Sequence, residues 1–376
     1  DQIAQHDLVI TTYPLLHRDS EILFAQEYDT VILDEAQHVK NPASQVAKLI
    51  RQINARQRLA LTGTPMENNL EELWCLFDWL IPGLLGNRKS FADQFRKPIE
   101  KEKNLNRQVV LSKRIAPFIM RRTKDQVATD LPPRTEIIET VQLTGPQRAL
   151  YETVRSTMHE RVRKALAQKG LASSKITVLD ALLKLRQACC DPQLVKLASA
   201  ASITASAKRS RLMEMLESLI AEGRRVLVFS QFVEMLRLIE SDVKVRGWDY
   251  LMLTGQTQKR GELVEAFQSG KASLFLISLK AGGVGLNLTA ADTVILYDPW
   301  WNPAIERQAM DRVHRIGQDK PVFVHRLIAE GTVETRIAEM QARKQALMDS
   351  VFDPESTSTV DMSEAEILSL FAPGGH

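Results

Sequence analysis

Cysteine is scarce in this chain. Its three copies, Cys75 and the adjacent pair Cys189-Cys190, form no C-x-x-C spacing and no even framework, which excludes a zinc knuckle and a disulfide scaffold and suits buried thiols in a reducing compartment. A dominant charge is also missing. The 49 Lys and Arg against 46 Asp and Glu leave a net +3, so nucleic acid is permitted but not demanded, since a local basic groove matters more than the total. Long apolar runs are absent too: the most apolar region, residues 70–85, is interrupted by Glu71, Glu72, Asp78 and Pro82, so no membrane span is expected. Asp1-Gln-Ile-Ala-Gln has neither a basic nor an apolar stretch, so no signal peptide is expected. No Gly-x-x-x-x-Gly-Lys-Ser/Thr occurs, which removes the standard phosphate-cradling loop; Gly255-Gln-Thr-Gln-Lys259-Arg260 lacks the second glycine. What is present is an ordinary globular composition, 44% hydrophobic and 25% charged over 376 residues, long enough for two cores.

The most informative stretch is residues 277–318. An apolar run at 274–277 ends in a polar, glycine-dense turn at 278–285, and a second run at 294–297 ends in Asp298-Pro299. Both read as buried parallel strands delivering loops to the carboxyl edge of a sheet, where such sheets bind ligands. After Pro303 the spacing turns helical, and Gln308, Arg312 and Arg315 fall at i, i+4 and i+7. Two guanidiniums a turn apart suit a phosphate that is gaining charge, because each is a planar donor fork that keeps its proton; a solvated helix face is the plainer alternative.

Gly282-Gly283-Val284-Gly285-Leu286-Asn287-Leu288 and Gln308-Ala-Met-Asp-Arg312-Val-His-Arg315-Ile-Gly-Gln318 resemble motifs five and six of the SWI/SNF-type DNA-dependent ATPases of helicase superfamily two. The ending His-Arg-Ile-Gly-Gln is specific to that family, and matching segments extend over residues 8–336. The resemblance implies an α/β fold of two RecA-like parallel-sheet lobes, the first incomplete, with family-specific helical insertions. The expected boundaries are 1–133 for the first lobe with an insertion near 90–124, 134–350 for the second with an insertion near 146–200, and a flexible tail at 351–376 that could hold a short helix over 364–371.

In chain order, residues 8–10 read as a strand, an abrupt opening that looks like a truncation. Residues 30–33 read as a buried strand carrying Asp34 and Glu35 at its carboxyl end. Buried acids there call for a cation or a polarised water: Asp34 suits Mg²⁺, and Glu35 suits general-base duty, against the alternative of a helix cap. In the family this is the DEAH-type box, from which the chain departs with Gln37 followed by His38. Thr62-Gly63-Thr64, after another strand, matches the family's coupling motif, or is a plain strand-to-turn junction. The Arg121-Arg122-Thr123-Lys124 run either braces the lobes, touches DNA or is a solvated face, and Leu131-Pro132-Pro133-Arg134 marks a boundary.

Beyond it, strand and helix alternate, as a parallel sheet requires. Helices are expected near 146–168 and 178–190, the latter with Leu182, Leu185, Arg186 and Cys189 on one face, which core packing explains. Ser230, Gln231, Thr254 and Gly255 stand at strand ends as small donors suited to backbone phosphates, or as ordinary turn formers. Ser278, Lys280 and Gly282 extend that edge, and Thr11 in the first lobe is a further candidate DNA contact. Trp301 matches a family tryptophan that lies against DNA, with a core aromatic as the alternative. Gly283 and Gly285 are carried over as nucleotide contacts.

The function implied by the resemblance is an ATP-driven, monomeric motor that moves along double-stranded DNA and displaces DNA-bound proteins, using ATP and Mg²⁺, with ATP between the lobes. Asp34 and Glu35 would serve metal and water, while Arg312 and Arg315 act as arginine fingers with Gln308 nearby. The setting would be the bacterial cytoplasm and nucleoid, or the nucleus of a eukaryote. The chain alone is expected to lack hydrolysis. A non-catalytic DNA-binding module and a strand-separating helicase are the rival readings.

Overall fold

The computed structural model describes residues 3–63, 69–100, 102–120, 122, 130–143, 145–197, 200, 202–282, 286–300, 303–352 and 364–372. The chain divides into two compact units, Asp1–Met120 with Arg343–Asp361, and Arg121–Ala342 with Met362–His376.

In the first unit, β1 (Glu27–Leu33) and β2 (Asn54–Ala60) pair in parallel, with Ile32 opposite Leu59. Helix Leu70–Leu80 starts on Asn69, whose side chain accepts from the amides of Glu71 and Glu72, and it buries Leu73, Trp74, Cys75, Phe77 and Trp79. The region expected to be helical forms short helices between Arg88 and Phe118 that seat Phe91, Phe95, Leu111 and Ile115 on that helix. Two expectations fail here. Leu8, Val9 and Ile10 form no strand and are exposed, and of β1 only Leu33 is buried. Continuous apolar runs are buried when a parallel sheet is flanked on both sides, whereas among the described residues this sheet has two strands, and Ile32 and Leu59 are exposed.

The second unit holds a six-stranded parallel sheet in the order β3-β8-β7-β4-β6-β5. Its strands are β3 (Arg134–Val141), β4 (Val226–Ser230), β5 (Tyr250–Leu253), β6 (Leu274–Ser278), β7 (Thr293–Leu296) and β8 (Val322–Ala329). Strands β4, β6 and β7 are buried at every position, as their unbroken apolar runs require. The chain leaves β4 toward β5 and leaves β7 toward β8, so the loops diverge between β4 and β7. Open parallel sheets take ligands at such a divergence.

The second insertion is a long helical segment, Gly145–Cys190, broken at Gly170, whose φ of 67° is a left-handed conformation glycine adopts freely. The two halves fold back on each other: Arg161 pairs with Asp180 at 2.9 Å, and Val154, Met158, Leu182 and Leu185 share one core. The short helix that the tail could hold is present, and it is packed rather than loose. Glu364–Ser369 is helical, Ile367, Leu370 and Phe371 are buried against this hairpin, and Arg155 donates to the Phe371 carbonyl at 2.7 Å. Ile367 on the helix and Leu370 and Phe371 just past its end together dock this short segment.

Candidate nucleotide and nucleic-acid sites

At the end of β1 the chain turns sharply. Glu35 sits at φ 49° and ψ 51°, a left-handed conformation that is uncommon for a residue with a side chain and tends to persist where surroundings enforce it. Those surroundings are visible: the Glu35 amide donates to Asp34 Oδ1 at 2.9 Å, the Gln37 side-chain amide donates to Glu35 Oε2 at 2.6 Å, and the Thr62 hydroxyl donates to Gln37 Oε1 at 2.8 Å. Thr62 and the acid box are therefore joined through Gln37, the residue at which the box departs from its family pattern. Tyr13 closes the other side, donating to the Asp34 carbonyl at 2.7 Å with its ring 5.3 Å from that of His38. Burial, followed by the charges of Asp34 and Glu35, pushes the Tyr13 phenol up to about 12, so it stays a donor at neutral pH.

Asp34 is exposed rather than buried, because β1 itself is largely uncovered. The premise that a buried acid must find a cation is thus corrected. Its fit to Mg²⁺ rests instead on donor chemistry: this ion keeps several waters and takes one or two carboxylates together with substrate phosphates. Among the described residues no cluster of three or more metal-ligating side chains occurs. Gly63 lies exposed beside this turn, and Thr11 is exposed. Thr64, Gly283, Gly285 and Trp301 lie outside the described residues.

In the second unit the arginine segment differs from its expected form. The helix is Pro303–Met310, and Arg312 and Arg315 follow it in turns. The break has a local cause: Arg312 N bonds back only three residues to the Ala309 carbonyl, Val313 N and His314 N share the Met310 carbonyl, and Gly317 takes φ +97°. Buried pins hold the turns. The Gln318 side-chain amide reaches the carbonyls of Thr289 (3.1 Å), Ala291 (2.8 Å) and Val313 (3.2 Å) while its oxygen accepts from Lys320 N. His314 Nε2 lies 2.8 Å from the Pro132 carbonyl and so carries the proton, and Leu288 N donates to the Arg312 carbonyl at 3.0 Å. The glycine-loop exit and the arginine turn are thereby one framework. From it Arg315 is exposed, and Arg312 and Gln308 are half-buried.

The strand-edge donors divide. Ser230 is fully buried and donates to Asp298 Oδ1 at 2.5 Å, so it is corrected from phosphate donor to internal anchor. The Gln231 amide also bonds Asp298, at 3.3 Å. Gly282 lies in the short helix Leu279–Gly282, where an added Cβ would meet Phe229 at 2.7 Å, so its role is packing rather than approach to a strand. Ser278 is buried, with its hydroxyl and the Gln231 side-chain nitrogen both lacking partners among the described residues, while Lys280 is exposed. Thr254 caps its own turn, donating its amide to Thr257 Oγ1 at 3.0 Å, and Gly255 is exposed.

Reasoning from spacing missed Asp298 and Arg186. Asp298 fills the divergence between β4 and β7; burial pushes its carboxyl above the usual carboxylate range, against the opposing charge of the Arg186 guanidinium 3.6 Å away. The available signal was an arginine on an otherwise apolar helix stripe, a charge that cannot be buried without an acceptor.

Residues 1–194 match the SNF2-related domain, and residues 207–317 match the helicase conserved C-terminal domain. An uncharacterized ATP-dependent helicase of Mycoplasma pneumoniae is 37% identical over 97% of this chain and 35% of its own length. Human SWI/SNF-related matrix-associated actin-dependent regulator of chromatin subfamily A member 1 is 36% identical over 93% of this chain and 34% of its own length. The chain thus spans about a third of the curated relatives it matches. The SWI2/SNF2 ATPase core of Sulfolobus solfataricus, solved in complex with double-stranded DNA, is 34% identical with a TM-score of 0.51, covering 97% of this chain and 77% of that one. More than half the chain falls within the first of these family domains, so the chain belongs to the SWI/SNF (SNF2-related) ATPases of helicase superfamily two.

Proposed function

We propose that this chain is the part of an ATP-driven double-stranded-DNA translocase that carries the acid box and the arginine turn, and that its output is the movement or displacement of DNA-bound proteins. The observation that carries the reading is the framework of residues 288–318, in which buried Gln318 and His314 hold a turn whose outward group is Arg315. A guanidinium held in this way costs little reorganisation when charge develops on a transferred phosphoryl group. Arg312 is the second such group, and Gln308 lies a turn earlier on the preceding helix.

In the first unit Asp34 would hold Mg²⁺, whose contribution when bound is to neutralise phosphate charge. Glu35 orients the attacking water and accepts its proton, and Gln37 fixes the carboxylate that does so. Thr62 is placed to register the state of that carboxylate through Gln37. For DNA, Lys280, Thr254, Gly255, Gln231, Ser278 and Thr11 remain as candidate contacts, with Trp301. Gly283 and Gly285 remain candidate nucleotide contacts.

ATP hydrolysis measured on the full-length protein, with and without duplex DNA, tests the reading. Turnover stimulated by duplex and abolished by Arg315→Ala is expected; turnover unchanged by Arg315→Ala overturns the arginine assignment. DNA affinity without any ATP response would favour a non-catalytic binding module, and displacement of a strand from a forked duplex would favour a helicase. Residues 1–376 alone, which contain no phosphate-cradling lysine loop, are expected not to hydrolyse ATP.

A further inference from the structure

Arg186 lies on the second half of the helical hairpin, in the stripe it shares with Leu182, Leu185 and Cys189, and only 7% of it is exposed. A guanidinium cannot shed its proton, so its burial must be answered by partners. The partners named by the structure lie outside the hairpin. Nη2 donates to the Pro299 carbonyl and stands 3.6 Å from Asp298 Oδ2, and the guanidinium lies 5.8 Å from the Phe232 ring and 5.9 Å from the Trp300 ring. Asp298 in turn takes the Ser230 hydroxyl and the Gln231 amide from the end of β4.

The far side of the same turn is held by a separate set of residues. Trp300 N donates to Glu306, Gln341 donates to the Trp300 carbonyl, and buried Glu306 is neutralised by Arg326. Residues 298–300 are therefore clamped at both ends, and the Arg186 clamp is the one that reaches into the inserted hairpin. Directly after this turn comes helix Pro303–Met310, which delivers Arg312 and Arg315. A shift of the hairpin would pull on Pro299 and re-aim that helix.

We propose that Arg186 is a positioning residue that ties the inserted hairpin to the turn 298–300 and so sets where the arginine segment is presented. Arginine suits this task better than lysine, since one planar group must donate to a carbonyl, face a carboxylate and lie against two rings. The proposal rests on the translocase reading, and the two fail separately. If the full-length protein shows no duplex-stimulated ATP hydrolysis, the translocase reading falls and this role falls with it.

Given that stimulation, Arg186→Gln and Arg186→Lys are compared with the parent at saturating duplex. Misplacement by about 1 Å can cost on the order of 10²-fold in rate. The expected result is a kcat lowered at least about tenfold in Arg186→Gln and by less in Arg186→Lys, which keeps a charge beside Asp298, with KM for ATP held within about twofold. Rates are expressed per folded molecule, from the amplitude of the near-ultraviolet circular dichroism. If the folded fraction of both variants turns over like the parent, or if KM rises while kcat holds, Arg186 is a packing element only and the proposal is overturned.

Discussion

Gln37 donates its side-chain amide to the Glu35 carboxylate at 2.6 Å, and it receives the Thr62 hydroxyl at 2.8 Å on its other end. An amide is suited to this position because it donates and accepts at once, which carries the orientation of one group to the next.

Removing that relay is expected to cost turnover without costing ATP affinity. In the full-length protein Glu35→Gln should lose about 10² to 10⁴ in kcat, the usual worth of a general base. Gln37→Ala, which leaves the base present but unheld, should lose roughly tenfold with KM unchanged, since orientation alone is removed. Steady-state hydrolysis at saturating DNA measures both, and parental kcat in Gln37→Ala would show that the relay is idle.

Arg315 and Gln318 stand three residues apart and should respond oppositely. Arg315 is exposed, so Arg315→Ala should leave the urea midpoint unchanged while lowering kcat by about 10³ to 10⁵. Gln318→Ala strips a donor from three carbonyls, two of them in buried bonds, and should lower stability by about 1–3 kcal/mol as well as activity. Urea unfolding beside ATPase rates separates the two; equal midpoints for both variants would count against the pinning role.

Gly282→Ala should destabilise by about 1–3 kcal/mol, the usual cost of overpacking, because the new methyl meets Phe229 at 2.7 Å in a fully buried layer. Thermal unfolding checks this. A variant as stable as the parent that binds DNA poorly would return Gly282 to the ligand-facing role expected from its motif.

Lys208 and Glu334 form an ion pair with both side chains fully buried, at 2.8 Å, with Lys208 Nζ 5.1 Å from the Tyr297 ring. Burial disfavours the lysine charge, and the Glu334 carboxylate overcomes this, leaving Lys208 raised above its ordinary range. A raised folded-state value means the lysine's contribution is fully present below its unfolded value, about 10.4, and is lost as pH climbs through the folded one. The lysine's share should therefore hold across neutral pH and fall on the strongly alkaline side, whereas burial pushes the Glu334 carboxyl up, so its share weakens as pH rises above the ordinary carboxylate range. Lys208→Met alone should cost about 3–5 kcal/mol by leaving a buried carboxylate unpaired, and adding Glu334→Leu should recover part of it. Additive losses in urea unfolding would refute the coupling.

Several of these positions were legible in the sequence and several were not, for physical reasons. Strands β4, β6 and β7 could be read because a strand flanked in a parallel sheet is apolar at every position. The same rule misjudged β1, whose apolar residues look identical whether or not neighbours cover them. The arginine segment satisfied helical spacing through Arg315, yet the helix stops at Met310, because periodicity cannot register a competing acceptor such as the Val313 carbonyl or the pull of Gln318. Ser230 was visible as a strand-end hydroxyl, but its partner Asp298 is 68 positions away. Arg186 was counted with its apolar neighbours; spacing identifies the buried face of a helix and is blind to a charge that the face encloses.

The cysteine trio has a practical consequence. Cys75, Cys189 and Cys190 are all buried, and burial pushes each thiol up, most strongly at the adjacent pair. Only a thiolate reacts at a useful rate, so the folded molecule should be silent toward alkylating reagents. Each modification then records an opening event, at the first unit for Cys75, at the hairpin core for Cys189 and at the core beside the six-stranded sheet for Cys190. Without any engineered label, the chain carries a separate clock for the breathing of each half.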